Sequence, residues 1–318
     1  MDNLDNFLTF DIYRTGCNLE FIQNNSVKFG RVFAIFKSTF YINIGSDFFC
    51  LGSCTLPNGP LNLVSTAPSN SHWPDSGLQV GQSVKVANSH LVIANLLRFR
   101  THMTRHWKPY PVPNDWNRKT LKKGLMILRE NCKDQLPEEG FACLISTNQP
   151  ALKGNNISLK AQPTIKMISN WLRGQFQKLE RPPDLYVDQL REIIGLGPGL
   201  TPSGDDLIAG MLIALYALKQ ESLAYQIWNA SKFHVEQTGN PISLAHLKKA
   251  SQGLGSEPVH FAIAAIMSGK ASNIALAINQ IKTIGHTSGW DALTGVILAF
   301  RVWEKYFSAK IPINCWQR

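Results

Sequence analysis

A chain of 318 residues has room for one large domain or two ordinary ones, and 44% hydrophobic against 17% charged residues describes a globular protein with a real core. Its longest apolar run, Leu207 to Leu218, has 12 residues. A membrane-spanning helix needs roughly 20, so no membrane partner is expected. The net charge of +10 points toward anionic or acidic partners.

The first residues, Met1 to Asp5, are acidic and do not read as a secretory signal. Six cysteines, at 17, 50, 54, 132, 143 and 315, include no Cys-x-x-Cys pair. This spacing argues against a zinc site and fits thiols in a reducing cytoplasm. Residues 1–100 read as a β-rich domain, a small barrel or sandwich. Val32–Phe36, Tyr41–Ile44, Phe48–Leu51 and Leu61–Val64 are short β-branched or aromatic runs between turn residues. Ser83–Ala87 and His90–Ala94, with Asn88-Ser89 between them, read as a hairpin.

Residues 101–160 read as a basic connector of mixed elements. Prolines interrupt it at 109, 111 and 113, a helix is expected at Lys119–Cys132, a strand at Phe141–Ser146, and a loop at Pro150–Asn156. Between Arg98 and Lys133, ten Lys/Arg stand against Asp115 and Glu130, with His102, His106, Phe99, Trp107, Tyr110 and Trp116 among them. Such a stretch is a solvated or partner-facing surface, draws small anions, or binds nucleic acid, the last being the least favoured reading.

From Pro163 the apolar period becomes helical. Helices are expected over 185–194, 204–219, 221–237, 241–252, 257–268, 272–283 and 289–306, with Asn240-Pro241 and Ser256-Glu257-Pro258 as starts. The class is therefore α+β: a β-rich N-terminal domain, the connector, and an α-helical domain over 161–318. No βαβ alternation and no Rossmann glycine fingerprint is present.

The helical part holds the most unusual sequence. Gly195-Leu196-Gly197-Pro198-Gly199-Leu200-Thr201-Pro202-Ser203-Gly204-Asp205-Asp206 leads straight into the longest apolar run. Glycines that let backbone approach a ligand, prolines that set turns, two hydroxyls and two carboxylates converge on one helix start. A weaker copy follows at an offset of 85 residues: Ser203-Gly204-x-Asp206-x-x-x-Gly210 matches Ser288-Gly289-x-Asp291-x-x-x-Gly295. Two loop–helix units of one design are expected, paired at Gly210 and Gly295. Ser and Asp three apart also fit capping boxes, with Ser203/Asp206 and Ser288/Asp291 serving only their own helix ends.

What the copies do not share is more telling of function. Asp205 has Trp290 as its counterpart, and His286 stands where Thr201 stands. Asp205 and His286, with Asp206, are therefore the acid–base candidates. Thr201, Ser203, Thr287 and Ser288 are hydroxyl donors, and Gly197, Gly199, Gly204 and Gly289 offer amides to an anion; Asp291 lies in the same candidate site. A carboxylate at a helix start competes with a bound anion. Either the carboxylates point away, or a cation such as Mg²⁺ bridges them, or one accepts a ligand N–H. No other cofactor is indicated. Asn58-Gly59-Pro60 is a turn and a further binding candidate, and the lone His260 reads as a core or cap histidine.

The segment Gly195–Asp206 resembles the hallmark of the AllH-like family. Leu56-Pro57-Asn58-Gly59-Pro60-Leu61-Asn62-Leu63, Ser256-Glu257-Pro258-Val259-His260 and Gly285-His286-Thr287-Ser288-Gly289-Trp290-Asp291 agree in order. The resemblance implies a subunit of oxamate carbamoyltransferase in anaerobic allantoin breakdown, working with other subunits on small anions. In the degradative direction oxalurate and phosphate give oxamate and carbamoyl phosphate. Two alternatives stand beside it: a non-catalytic scaffold or regulatory subunit, and a nucleic-acid binder through residues 98–133.

Overall fold

A computed structural model describes residues 7–16, 26–102, 104–146 and 155–307. The expected acidic start, Cys17, Cys315 and most of the loop expected at 150–156 lie outside them. The chain divides into two compact units, Met1–Pro111 with Leu244–Lys249 and Leu254–His260, and Val112–Ser243 with Ala250–Gly253 and Phe261–Arg318.

The first unit is a closed barrel. Its strands are β1 (Leu8–Thr15), β2 (Lys28–Ile35), β3 (Thr39–Ile44), β4 (Asp47–Gly52), β5 (Asn62–Ser65), β6 (Ser83–Ala87), β7 (His90–Ile93), β8 (Leu97–Arg100) and the two-residue β9 (Arg105–His106). The order runs β5-β4-β3-β2-β6-β7-β8-β1, and a β1–β5 pairing closes the ring; β9 adds to the end of β1. Closure removes the free edges that would template aggregation. Most neighbours are antiparallel, whereas β1–β8, β1–β9 and β4–β5 are parallel.

Alternation drives the barrel. In β3, Phe40, Ile42 and Ile44 turn inward and are buried. They meet Ile12, Val32, Leu51, Leu63, Val84, Leu91, Ile93 and Phe99. Each such side chain contributes roughly 1.5–3 kcal/mol on burial. Trp73, on a 3₁₀ turn, packs edge-on to Phe40 at 4.8 Å and donates its indole N–H to the Ser38 carbonyl. The expected hairpin forms at Asn88 and Ser89, both at positive φ, 49° and 59°. The expected choice between barrel and sandwich resolves to the barrel.

The helices are α1 (Arg118–Cys132), α2 (Cys143–Ser146), α3 (Asn156–Gln177), α4 (Val187–Leu190), α5 (Ser203–Ala217), α6 (Glu221–Gln237), α7 (Pro241–Ala250), α8 (Glu257–Ser268), α9 (Ala271–Ile281) and α10 (Ser288–Tyr306). Three sequence expectations need correction. Phe141–Ser146 is not a strand: amides of Leu144 and Ile145 bond back to Phe141 and Ala142, giving turns and the short α2. A short apolar run reads alike in either state. The helix expected from Pro163 begins at Asn156, capped by the Asn155 side chain, so Pro163 lies inside it. The helix expected over 185–194 shrinks to α4 followed by turns.

Two helices form the centre of the second unit. A Cβ on Gly210 of α5 would strike the Ala292 carbonyl oxygen of α10, and one on Gly295 of α10 would strike the Leu207 carbonyl of α5. These contacts are the same contact read from each side, since 207 and 292 are also 85 apart. The helices thus cross at paired glycines about a local pseudo-two-fold axis. Among the described residues no helix is long and apolar enough to cross a membrane.

Candidate functional site

The crossing brings the two helix starts together, and the pseudo-symmetry continues there. Neither helix is capped by its own serine: Pro202 and Thr287 hold the N-cap positions, with no side-chain cap bond. The expected capping boxes are not made. Instead each aspartate faces the other helix. Asp206 sits by the Ser288 hydroxyl, and Asp291 by the Ser203 hydroxyl. Tertiary packing has replaced the local partner with its symmetry mate.

The loops ahead of the helices share a hinge. Gly197 and Gly285 both have positive φ, 114° and 55°, and each lies against the serine that opens its helix. Five residues separate Gly197 from Ser203, whereas two separate Gly285 from Ser288. The first loop is thus three residues longer. Asn240, which caps α7 through the Ser243 amide, holds that longer loop by donating to the Leu200 carbonyl at 2.8 Å. Gly199 is exposed, with open space around it.

The three carboxylates have different duties. Asp205 is 2% exposed; its Oδ1 accepts from the Gly195 amide at 2.8 Å and its Oδ2 from the Ser243 hydroxyl at 2.5 Å. Burial raises its carboxyl above the usual range, while those two donors lower it. Both oxygens are taken, and the group pins the loop. Asp291 is fully buried and its Oδ1 accepts from the Phe141 amide at 2.6 Å. Gly140 packs so closely on this carboxylate that any Cβ there would collide with it.

Asp206 is held differently. Part of the residue remains open, yet its Oδ2, like that of Asp291, is sealed from solvent with no hydrogen-bond partner. Burial pushes its carboxyl well above the usual range; the Ser288 hydroxyl pulls it back, Asp291 and Asp205 push it further up, and Thr201 pulls it back again. The Thr201 and Ser288 hydroxyls lie 3.1 Å apart. A carboxyl with a raised pKa beside two linked hydroxyls can exchange a proton with a ligand and offer it hydrogen bonds.

The other candidates spread out. Ser203, Gly204 and Gly289 are buried, Gly204 against the Ile193 carbonyl and Gly289 against the Ile281 carbonyl; Thr287 is half-buried beside Asp291. His286 is 79% exposed, its Nδ1 3.4 Å from the exposed Glu139 carboxylate. Asn58 lies in the barrel unit, where its side-chain amide donates to Glu257. Among the described residues no three His, Cys, Asp or Glu side chains group as a metal site. The sequence pattern did not identify Ser243 as the Asp205 partner, nor Gly140–Phe141 as the plug on Asp291. The Asn240-Pro241 helix start was the one available pointer to the first.

Two family models match this chain. Residues 193–300, which include both helix starts, match the model described as oxamate carbamoyltransferase subunit AllH, and residues 12–106, the barrel, match the AllH family N-terminal domain. The chain belongs to the AllH family. No solved structure matches it.

Proposed function

We propose that this chain is a subunit of a carbamoyltransferase that moves a carbamoyl group between phosphate and oxamate, with the reacting groups gathered at the starts of α5 and α10. The family name supports the reaction class and the need for partner subunits. The observation that carries the site is the Asp206 carboxyl, partly open and beside the linked hydroxyls of Thr201 and Ser288.

In the degradative direction a phosphate oxygen attacks the carbamoyl carbon of oxalurate and the C–N bond breaks. The departing oxamate nitrogen takes the proton that Asp206 holds. In the reverse direction Asp206 accepts that proton as the oxamate amide attacks carbamoyl phosphate and phosphate leaves. A carboxyl whose pKa is raised is suited to give and take that proton. Thr201 and Ser288 donate to the tetrahedral oxyanion or the phosphate. The exposed loop amides around Gly199, and the His286 side chain, meet the anionic ends of the substrates. Asp205 positions this loop. A cytoplasmic enzyme of allantoin breakdown is the setting this chemistry fits.

Thermal unfolding of the purified chain with phosphate, carbamoyl phosphate, oxamate or oxalurate tests this reading. A ligand at 100 times its dissociation constant adds about 2.7 kcal/mol of apparent stability. A shift of a few degrees with carbamoyl phosphate or oxalurate, lost in Ser288→Ala, is expected. Absence of a shift with all four would favour a scaffold subunit whose partners hold the site.

A further inference from the structure

The barrel unit has its own concavity, formed where the end of β1 meets three other segments. Gly16 packs directly on the Gly59–Pro60 backbone, and the Trp107 amide donates to the Thr15 carbonyl at 2.8 Å. The Asn58 carbonyl accepts from the Glu257 amide at 2.7 Å, and the Asn58 side-chain amide donates to Glu257 Oε2 at 2.6 Å. Two motifs almost 200 residues apart in the chain are thereby bonded twice. The concavity beside them has a volume of about 370 Å³ and is lined by Gly16, Pro60, His106, Trp107, Pro109, Lys249 and Leu254. That volume suits a small ligand.

Its charge is one-sided. Lys249, in the last turn of α7, makes no ion pair among the described residues, and Glu257 is engaged by Asn58. The indole N–H of Trp107 has no protein acceptor among the described residues, and its ring lies 6.0 Å from that of His260. His260 adds no charge. Its Nε2 accepts from the Gly255 amide at 3.0 Å, and burial lowers it to about 4. It instead fixes the turn that carries Leu254. Asn58 Oδ1 is sealed and unpartnered next to Gly59. An uncommitted ammonium, an open N–H donor and a flat aromatic wall define an anion pocket rather than an apolar groove.

We propose that the barrel unit binds a second small anion, a phosphate- or carboxylate-bearing molecule, through Lys249 and Trp107. This pocket shares no residue with the helix starts and does not depend on the carbamoyltransferase reading.

Tryptophan fluorescence of the full chain, titrated with inorganic phosphate and separately with oxamate, tests it. One probe is expected to give a saturable change that is absent in Trp107→Phe, weakened about tenfold or more in Lys249→Met, and kept in Lys249→Arg. Ser288→Ala, which is expected to lose the ligand response of the helix starts, is expected to leave this titration unaltered, which separates this pocket from them. Equal affinities for wild type and Lys249→Met, or no saturable change with either probe at millimolar concentration, would overturn the proposal. Saturation by phosphate alone would mark a phosphate pocket, and by oxamate alone a carboxylate pocket.

Discussion

The starts of α5 and α10 are built on one plan and finished differently. They share the glycine hinge, the serine that opens the helix, the aspartate three residues on, and the glycine at the crossing. The second copy is closed off: its loop is short, Trp290 is buried, and Gly140–Phe141 plugs Asp291. The first copy keeps three extra loop residues, a second aspartate that ties the loop to Ser243, and an Asp206 that is partly open where Asp291 is fully buried, although each aspartate has one sealed Oδ2 without a partner. The start of α10 is thus the more closed of the two. The shared residues make the crossing, and the inequality between the two starts is what the proposed site draws on.

The shared part can be broken from either side. Gly295→Ala places a methyl against the Leu207 carbonyl, and Gly210→Ala places one against that of Ala292. Backbone cannot yield as a side chain can, so each is expected to cost about 3 kcal/mol by denaturant unfolding. Similar losses in the two variants would support the pseudo-symmetry, and a loss in one alone would break it.

Asp291→Ala leaves the Phe141 amide buried without an acceptor, and a cost of about 1–3 kcal/mol is expected. Excising Pro198, Gly199 and Leu200 gives the first loop the length of the second. It removes the Asn240 bond to Leu200, for about 1 kcal/mol. The shortened protein is expected to fold and to lose its thermal response to carbamoyl phosphate or oxalurate.

The smallest effect is a difference in pH dependence. Asp206 has a folded-state pKa raised above its ordinary 3.8. Between those two values the folded protein keeps a proton that the unfolded chain has released. Its contribution is present below the unfolded value and lost as pH rises through the folded one, with a slope of at most about 1.4 kcal/mol per pH unit. Asp206→Asn is expected to remove that decline and hold or raise neutral-pH stability. Identical pH profiles for the two proteins would mean that Asp206 is not held protonated.

Much of this was legible in the sequence, for local reasons. Asn88-Ser89 accepts positive φ, so the hairpin could be read directly, and 257–268 is the observed extent of α8. The repeat gave the crossing because glycine at the same step of two helices is a packing signal. The partners were not legible. Ser and Asp three apart describe a local cap, and only the packed pair of helices reveals that each aspartate turns to the opposite serine. Strand β1 escaped notice because its partners β5, β8 and β9 lie far along the chain. Nothing local to Phe141 shows that its amide meets Asp291. Asp205 stands among the acid–base candidates because the copies do not share it. The hydrogen bonds to both Asp205 oxygens shift the emphasis to Asp206.

The central claim is that Asp206 carries the proton in carbamoyl transfer, and turnover of Asp206→Asn in the complex assembled with its partner subunits tests it most directly. The account predicts that kcat falls about a hundredfold or more while the melting temperature is unchanged or raised. Turnover close to that of the wild type in a folded, assembled variant would contradict it.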